Sequence, residues 1–428
     1  MKKLIIYILI LLLLMGIMVT SAAAEKMKLN VTGYYKLFFT GFKLPSVKAL
    51  GETISKPPIG AVNNRLRLSF SMKAASWISL QASYDISPRI QDTLLFGEDI
   101  FFSAVPTGGY RVADFDSRLY PREGEAVSSF GLFHNLDRFF VTIKTSFADI
   151  FIGRQAIAWG SAKFNNPTDV VAPFTFNELD TEERSGVDAV RVRIPLGMMD
   201  ELDLGLIAGK DFKWQNSSVF IRGRTNKWKT DLSLLLLAFR EHFLLGFDLT
   251  RSIGGAGFWF EAAWVKPFLF NREKRDLADE KNYFRASVGL DYSFTGKMYS
   301  FFEYHFNSAG KSKAGDYADA FLSSAYRDGS VYLMGRHYLN LGITYQITPL
   351  IPFTGMVIMN LNDASFTLAP TAEYNIAENI YLGFGAYLGI GKRPGLLRTV
   401  PVGGMDRLLH SEFGTYPNML YTSFRIYF

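Results

Sequence analysis

The chain has 428 residues and no cysteine. That absence excludes a disulfide framework, a thiolate metal site and a thiol nucleophile, and it excludes a cysteine-linked lipid anchor. Stability must then come from burial and from a hydrogen-bonded ladder. Long hydrophobic runs are also missing after the N-terminus. The longest, Leu232 to Phe239, is broken by Ser233 and is less than half of the roughly 20 residues a helix needs to span a bilayer. Histidine is scarce, and His134, His242, His305, His337 and His410 are dispersed. None stands in a His-Glu-x-x-His arrangement, and no Gly-x-Ser-x-Gly elbow or phosphate-cradling loop occurs. Glu303 and His305 share one strand face, where an acid–base pair competes with an ordinary structural hydrogen bond. Asp169, Asp180 and Glu182 match no calcium-loop spacing. The chain therefore reads as a non-enzyme without metal or cofactor. Its net charge of +6 is spread too evenly for a nucleic-acid footprint. Linkers and low-complexity tracts are lacking, so nothing divides the chain into domains.

What is present begins with an export pattern. Lys2 and Lys3 precede the apolar run Leu4 to Val19, and Ala22-Ala23-Ala24 forms a small-residue cleavage site. Residues 1–24 are expected to be a cleaved signal peptide, with an uncleaved anchor helix as the alternative. Residues 25–428 then form one body. Aromatic residues are abundant, with 38 Phe and 21 Tyr against 6 Trp. A membrane protein without spanning helices must be a closed barrel, because lipid offers no partner to an open strand edge.

The alternation agrees with this. Leu66, Leu68, Phe70 and Met72 share one strand face, and Arg65, Arg67, Ser69 and Ser71 the other. Phe284, Ala286, Val288 and Leu290 oppose Arg285, Ser287, Gly289 and Asp291. Leu382, Phe384, Ala386 and Leu388 oppose Tyr381, Gly383, Gly385 and Tyr387. Strands are predicted near 28–41, 63–73, 76–86, 138–147, 149–159, 187–195, 201–209, 217–225, 227–239, 242–251, 255–266, 282–294, 298–307, 335–347, 352–361, 364–374, 379–390 and 419–428. The expected fold class is an all-β, antiparallel up-and-down transmembrane barrel of about eighteen strands, with sixteen as the alternative. Long connections at 42–62, 87–137, 160–186, 267–281, 308–334 and 391–418 all follow odd-numbered strands. Even-numbered connections are short, as in Thr295-Gly296-Lys297. Long extracellular loops and short periplasmic turns produce that separation.

Two segments resemble known families. The chain ends with Phe424, Ile426 and Phe428 alternating to a terminal aromatic, similar to the signal read by the barrel-assembly machinery of Gram-negative bacteria. Gly153-Arg154-Gln155-Ala156-Ile157-Ala158-Trp159-Gly160-Ser161, Asn166-Pro167-Thr168-Asp169 and Gly186-Val187-Asp188-Ala189-Val190-Arg191 resemble large porin-like barrels, including alginate-export-type channels. The resemblance covers Asn135 to Gly197 and implies an outer-membrane location, with lipid and lipopolysaccharide around the barrel. Trimers, common among such barrels, are carried as an expectation.

About eighteen strands enclose more space than side chains fill, so a water-filled lumen is expected. Its lining includes Lys36, Lys144 and Arg425, the ladders Arg65/Arg67, Arg191/Arg193 and Arg222/Arg224, and the acids Asp85, Asp231, Asp248, Glu261, Asp291 and Glu303. A basic wall favouring anions and a set of structural ion pairs are equal readings of these arginines. The loop 160–186 is the expected constriction, with Arg154, Arg191 and Arg193 facing Asp169 and Glu182. The bland reading of that loop is a solvated surface segment, and 87–137 could cap the pore instead. The function expected is passive passage of small hydrophilic solutes, anions among them. The alternative is a plugged structural barrel whose long loops bind a partner. A barrel hydrolase and a plug-domain transporter fit the length and the N-terminus less well.

Overall fold

Each alternating segment forms a strand, and the computed structural model describes residues 28–49, 52–96, 109–115, 117–122, 125, 128–277, 280–396 and 407–428. The expected signal segment 1–24 and part of loop 87–137 lie outside the described residues. The barrel strands are β1 (Lys28–Lys43), β2 (Ile59–Ala75), β3 (Ile78–Gln91), β4 (Phe130–Lys144), β5 (Asp149–Gln155), β6 (Val187–Pro195), β7 (Glu201–Ala208), β8 (Ser218–Lys227) and β9 (Thr230–Phe239). They continue as β10 (His242–Ile253), β11 (Ala256–Lys266), β12 (Tyr283–Thr295), β13 (Met298–Asn307), β14 (His337–Thr348), β15 (Ile351–Asn360), β16 (Ser365–Ala377), β17 (Ile380–Ile390) and β18 (Asn418–Tyr427).

Every strand pairs antiparallel with its neighbours in chain order, and β18 pairs with β1 from Tyr34↔Tyr427 to Lys43↔Asn418. The result is a closed transmembrane barrel of eighteen strands, which settles the choice between sixteen and eighteen. Closure is completed beyond the last strand. The Gly33 N–H donates to Phe428 O at 2.7 Å and the Phe428 N–H to Gly33 O at 2.9 Å. A side chain at Gly33 would meet the Phe428 ring.

The polarity of the wall is inverted relative to a water-soluble barrel. Phe70, Phe284 and Leu290 face outward and are exposed, whereas Arg67, Arg285 and Glu303 are buried within. That arrangement suits an apolar solvent outside and water inside. At one end the connections 76–77, 145–148, 196–200, 228–229, 254–255, 296–297, 349–350 and 378–379 are all short. Trp228 and Lys229 both take positive φ, the geometry of the tight hairpin that matches strand twist. The long connections gather at the other end.

Four predicted strands differ in extent by four residues or more at one end. β2 begins at Ile59, β3 runs on to Gln91 and β4 begins at Phe130, because pairing continues from β1 through β2 and β3 to β4. A bulge interrupts the β3–β4 pairing: Tyr84 pairs with Leu136 and Ser83 with Arg138, leaving Asp137 extra. Asp137 and Arg138 are consequently both buried, against strict alternation. β5 stops at Gln155, where the chain leaves the wall.

A candidate constriction inside the barrel

The segment 156–186 does not spread over the surface. Its side chains and backbone contact the inner wall through a circuit of strands. Ile157 and Trp159 are buried against the side of β6–β9, with the Trp159 ring edge-on to Phe220 at 4.9 Å. Gly160, at φ 104°, turns the chain, and a Cβ there would lie 2.7 Å from the Glu261 carboxylate. Glu261 on β11 accepts the N–H groups of Ser161 (2.9 Å), Ala162 (3.0 Å) and Thr168 (2.8 Å). Glu303 on β13 accepts those of Lys163 (2.7 Å) and Asn165 (3.2 Å), together with the Trp259 indole N–H (3.0 Å). On β12, Arg285 donates to Pro167 O at 2.5 Å and Ser287 to Asn165 O at 2.7 Å. Two buried carboxylates thus satisfy main-chain donors that no strand partner could reach.

The return path runs over the barrel seam. Asp180 meets Lys36 of β1 at 2.8 Å and Arg65 of β2 at 3.0 Å. Glu182 meets Lys36 at 2.5 Å and accepts from the Tyr427 hydroxyl at 2.8 Å. Glu183 lies 3.4 Å from Arg138 and 3.6 Å from Arg67. The Gly186 N–H then donates to Asp137 at 2.9 Å, and β6 begins. Burial opposes the charge on Asp180, but Lys36 and Arg65 together outweigh it and hold the carboxyl below its usual range. Asp169 is buried deeper. Burial pushes it up to about 6, although Arg184 pairs with it and pulls the other way.

Two cavities adjoin along this segment. One, of about 410 Å³, is bounded by Phe174, Phe176, Arg184, Arg285, Tyr332 and Tyr387 among others. The second, of about 360 Å³, is bounded by Phe38, Glu182, Glu373, Tyr421, Arg425 and Tyr427. Leu179 and Thr181 border both, so the same short stretch of the loop separates them.

No protein-family model matches the chain, and no curated protein matches its sequence. Solved structures do match. OccAB1 of Acinetobacter baumannii aligns over 93% of this chain and 96% of its own, with 10% identity and a TM-score of 0.51. OccD3 of Pseudomonas aeruginosa aligns over 95% and 92%, with 9% identity and a TM-score of 0.52. The outer membrane protein OpdK of Pseudomonas aeruginosa aligns over 93% and 98%, with 8% identity and a TM-score of 0.52. The chain has the fold of Gram-negative outer-membrane barrels. At such identities the likeness is one of architecture.

The residues expected to line the pore are distributed differently from their grouping in sequence. Arg154 is buried at the long-loop end, bonded to Asp188 at 2.8 Å and Asp114 at 2.9 Å, and it donates to Ala113 O. It fastens the segment 110–114 to the wall and is not brought to Asp169 or Glu182. Asp169 instead pairs with Arg184 beside the larger cavity. Glu182 borders the smaller one. Arg65 and Arg67 both reach Asp85, at 2.8 and 3.2 Å, and Arg67 also reaches Asp137 at 2.8 Å.

The other two ladders lie side by side with an acidic ladder between them. On β7, Asp203 pairs in register with Arg193 and Arg222, and Glu201 with Arg224. Arg191 bonds Asp203 at 2.6 Å and Arg193 bonds Glu201 at 2.5 Å. Among the described residues, Arg222 and Arg224 form no ion pair within 4.0 Å, and Arg222 donates to Ser233 at 3.4 Å. His305 lies 2.8 Å from the Ser287 hydroxyl, while Glu303 is taken up by the loop. Asp137, Glu201, Asp203 and the tyrosines of the seam were not among the residues singled out from sequence. Strand parity alone would have found Glu201, Asp203, Tyr421 and Tyr427; nothing local marks the bulge that turns Asp137 inward.

Proposed function

We propose that the protein is an outer-membrane channel for passive diffusion of small hydrophilic solutes, anions among them. The observation that carries this reading is the pair of adjoining cavities held between the inner loop and a polar wall. A barrel that merely carried surface loops would have no need to brace a segment against the inside of most of its strands. The inner loop is the constriction, and its acids Asp180 and Glu182 stand against Lys36 and Arg65. Arg222 and Arg224, which have no ion-pair partner within 4.0 Å among the described residues, give the lumen its anion preference.

In this reading residues 1–24 are removed on export, the long loops face the outside and the short turns the periplasm. Lipopolysaccharide surrounds the outer rim. Phe424 and Ile426, outward on β18, and the terminal Phe428 serve barrel assembly. A trimer is the expected state. Single-channel recording of the refolded chain 25–428 in a planar bilayer tests the proposal. Stable conductance steps, with a reversal potential in a salt gradient on the anion side, are expected. Folded protein that inserts and stays silent overturns it.

A further inference from the structure

We propose, building on the channel reading, that the narrow part of the lumen recognises saccharide rings by stacking them on a column of tyrosines along the seam. Tyr387 borders the larger cavity and Tyr421 the smaller. Their rings are nearly parallel, with centroids 6.3 Å apart and planes at 28°. Tyr427 stands apart at the short-turn end of the second cavity, edge-on to Tyr34 at 5.9 Å and to Tyr381 at 5.8 Å, where Lys36 and Arg425 lie over the Tyr34 and Tyr381 rings. The stacked Tyr387 and Tyr421 therefore form a short column that leads from one cavity into the next.

The neighbouring strand makes room for the Tyr421 ring. The inward positions of β17 between Tyr381 and Tyr387 are Gly383 and Gly385, and Gly383 borders the second cavity. A side chain at Gly385 would collide with the Tyr421 ring, so its absence is what lets that ring lie flat on the wall.

Hydrogen-bonding groups edge this column. The Tyr421 hydroxyl is 3.0 Å from Thr371 Oγ1, Tyr427 donates to Glu182 at 2.8 Å, and Glu373 pairs with Arg425. The lining charges are largely paired, leaving a solute flat apolar faces bordered by donors and acceptors. A saccharide has that form, with C–H groups on its faces and hydroxyls around its edge. A wholly apolar solute would desolvate the bordering polar groups without replacing their bonds. An open-chain polyol carries the same hydroxyls but no rigid face to stack.

The test is current blockade by maltotriose, with sorbitol matched for hydroxyl concentration as the comparison. Maltotriose is expected to interrupt the current in a concentration-dependent way and sorbitol is not. In the double variant Tyr387→Leu, Tyr421→Leu the half-blocking concentration should rise about tenfold or more. Tyr421→Phe should retain the blockade. The single Leu variants, each expected to show a smaller rise, carry the test if the double variant does not fold. Equal blockade by sorbitol, or unchanged blockade in the folded Leu variants, overturns the inference. Should the protein be silent in bilayers, the channel reading fails on its own. Saturation-transfer NMR of maltotriose with the detergent-folded barrel and the same variants then decides whether the tyrosine column binds rings.

Discussion

Thr168 gives both its main-chain N–H and its hydroxyl to a single oxygen of Glu261, at 2.8 and 2.7 Å. One wall carboxylate thereby holds two points of the inner loop, since its other oxygen accepts from Ser161 and Ala162. This is an anchor for the inner loop, built from a carboxyl group in the barrel and donors in the loop.

Replacing that anchor should free the loop and spare the barrel. Glu261→Ala leaves buried N–H groups without partners, at about 1–3 kcal/mol each. The strand ladder on both sides of β11 is untouched. Single channels of the variant are expected to be larger and noisier, with trypsin cutting at Lys163 or Arg184. The heat-resistant migration of the folded barrel should stay. A quiet channel of native size would show that Glu261 is not the anchor.

The long-loop end should loosen as the pH rises. Glu412 is fully buried where it accepts from Asn360 at 2.7 Å, the Met334 N–H at 2.9 Å and the Tyr338 hydroxyl. Burial raises its carboxyl from 4.5 to about 7, although those bonds pull it down. A raised carboxyl favours the docked state fully below the undocked value of 4.5 and loses that stabilisation as pH climbs through about 7. Hydrogen exchange at Met334, corrected for its intrinsic rate, should be faster at pH 8 than at pH 5. Glu412→Gln should flatten the difference.

Charge selectivity should follow the unpaired arginines. Arg222→Ala with Arg224→Ala removes two lumen cations that have no ion-pair partner among the described residues. The reversal potential should move toward cation preference in dilute salt. At 1 M salt, where the screening length is about 3 Å, the shift should nearly vanish. A reversal potential that does not move would assign the preference elsewhere.

Orientation is open to labelling without background, because the chain has no cysteine of its own. Arg272→Cys, on an exposed side chain of the long-loop end, should react with a membrane-impermeant maleimide on intact cells. Gly296→Cys, in a short turn, should react only after the outer membrane is opened. The opposite pattern would invert the barrel.

Sequence alone determined the strands of this protein, their inward and outward faces and the sorting of long from short connections. These features are local: alternation has a period of two along the chain, and each antiparallel neighbour is the next segment in order. The tertiary structure decided what the inward groups do. Arg191 and Arg193 look identical to Arg222 and Arg224 in sequence, yet only the former pair bonds the acids of β7, because register and side-chain reach select the partner. Asp137 faces inward only because a bulge in a pairing over fifty residues apart places it there. The path of 156–186 around the inner wall depends on Glu261, Glu303, Lys36 and Asp137, which meet it only once the barrel has closed. Contacts between distant segments set that path, and no local pattern encodes them.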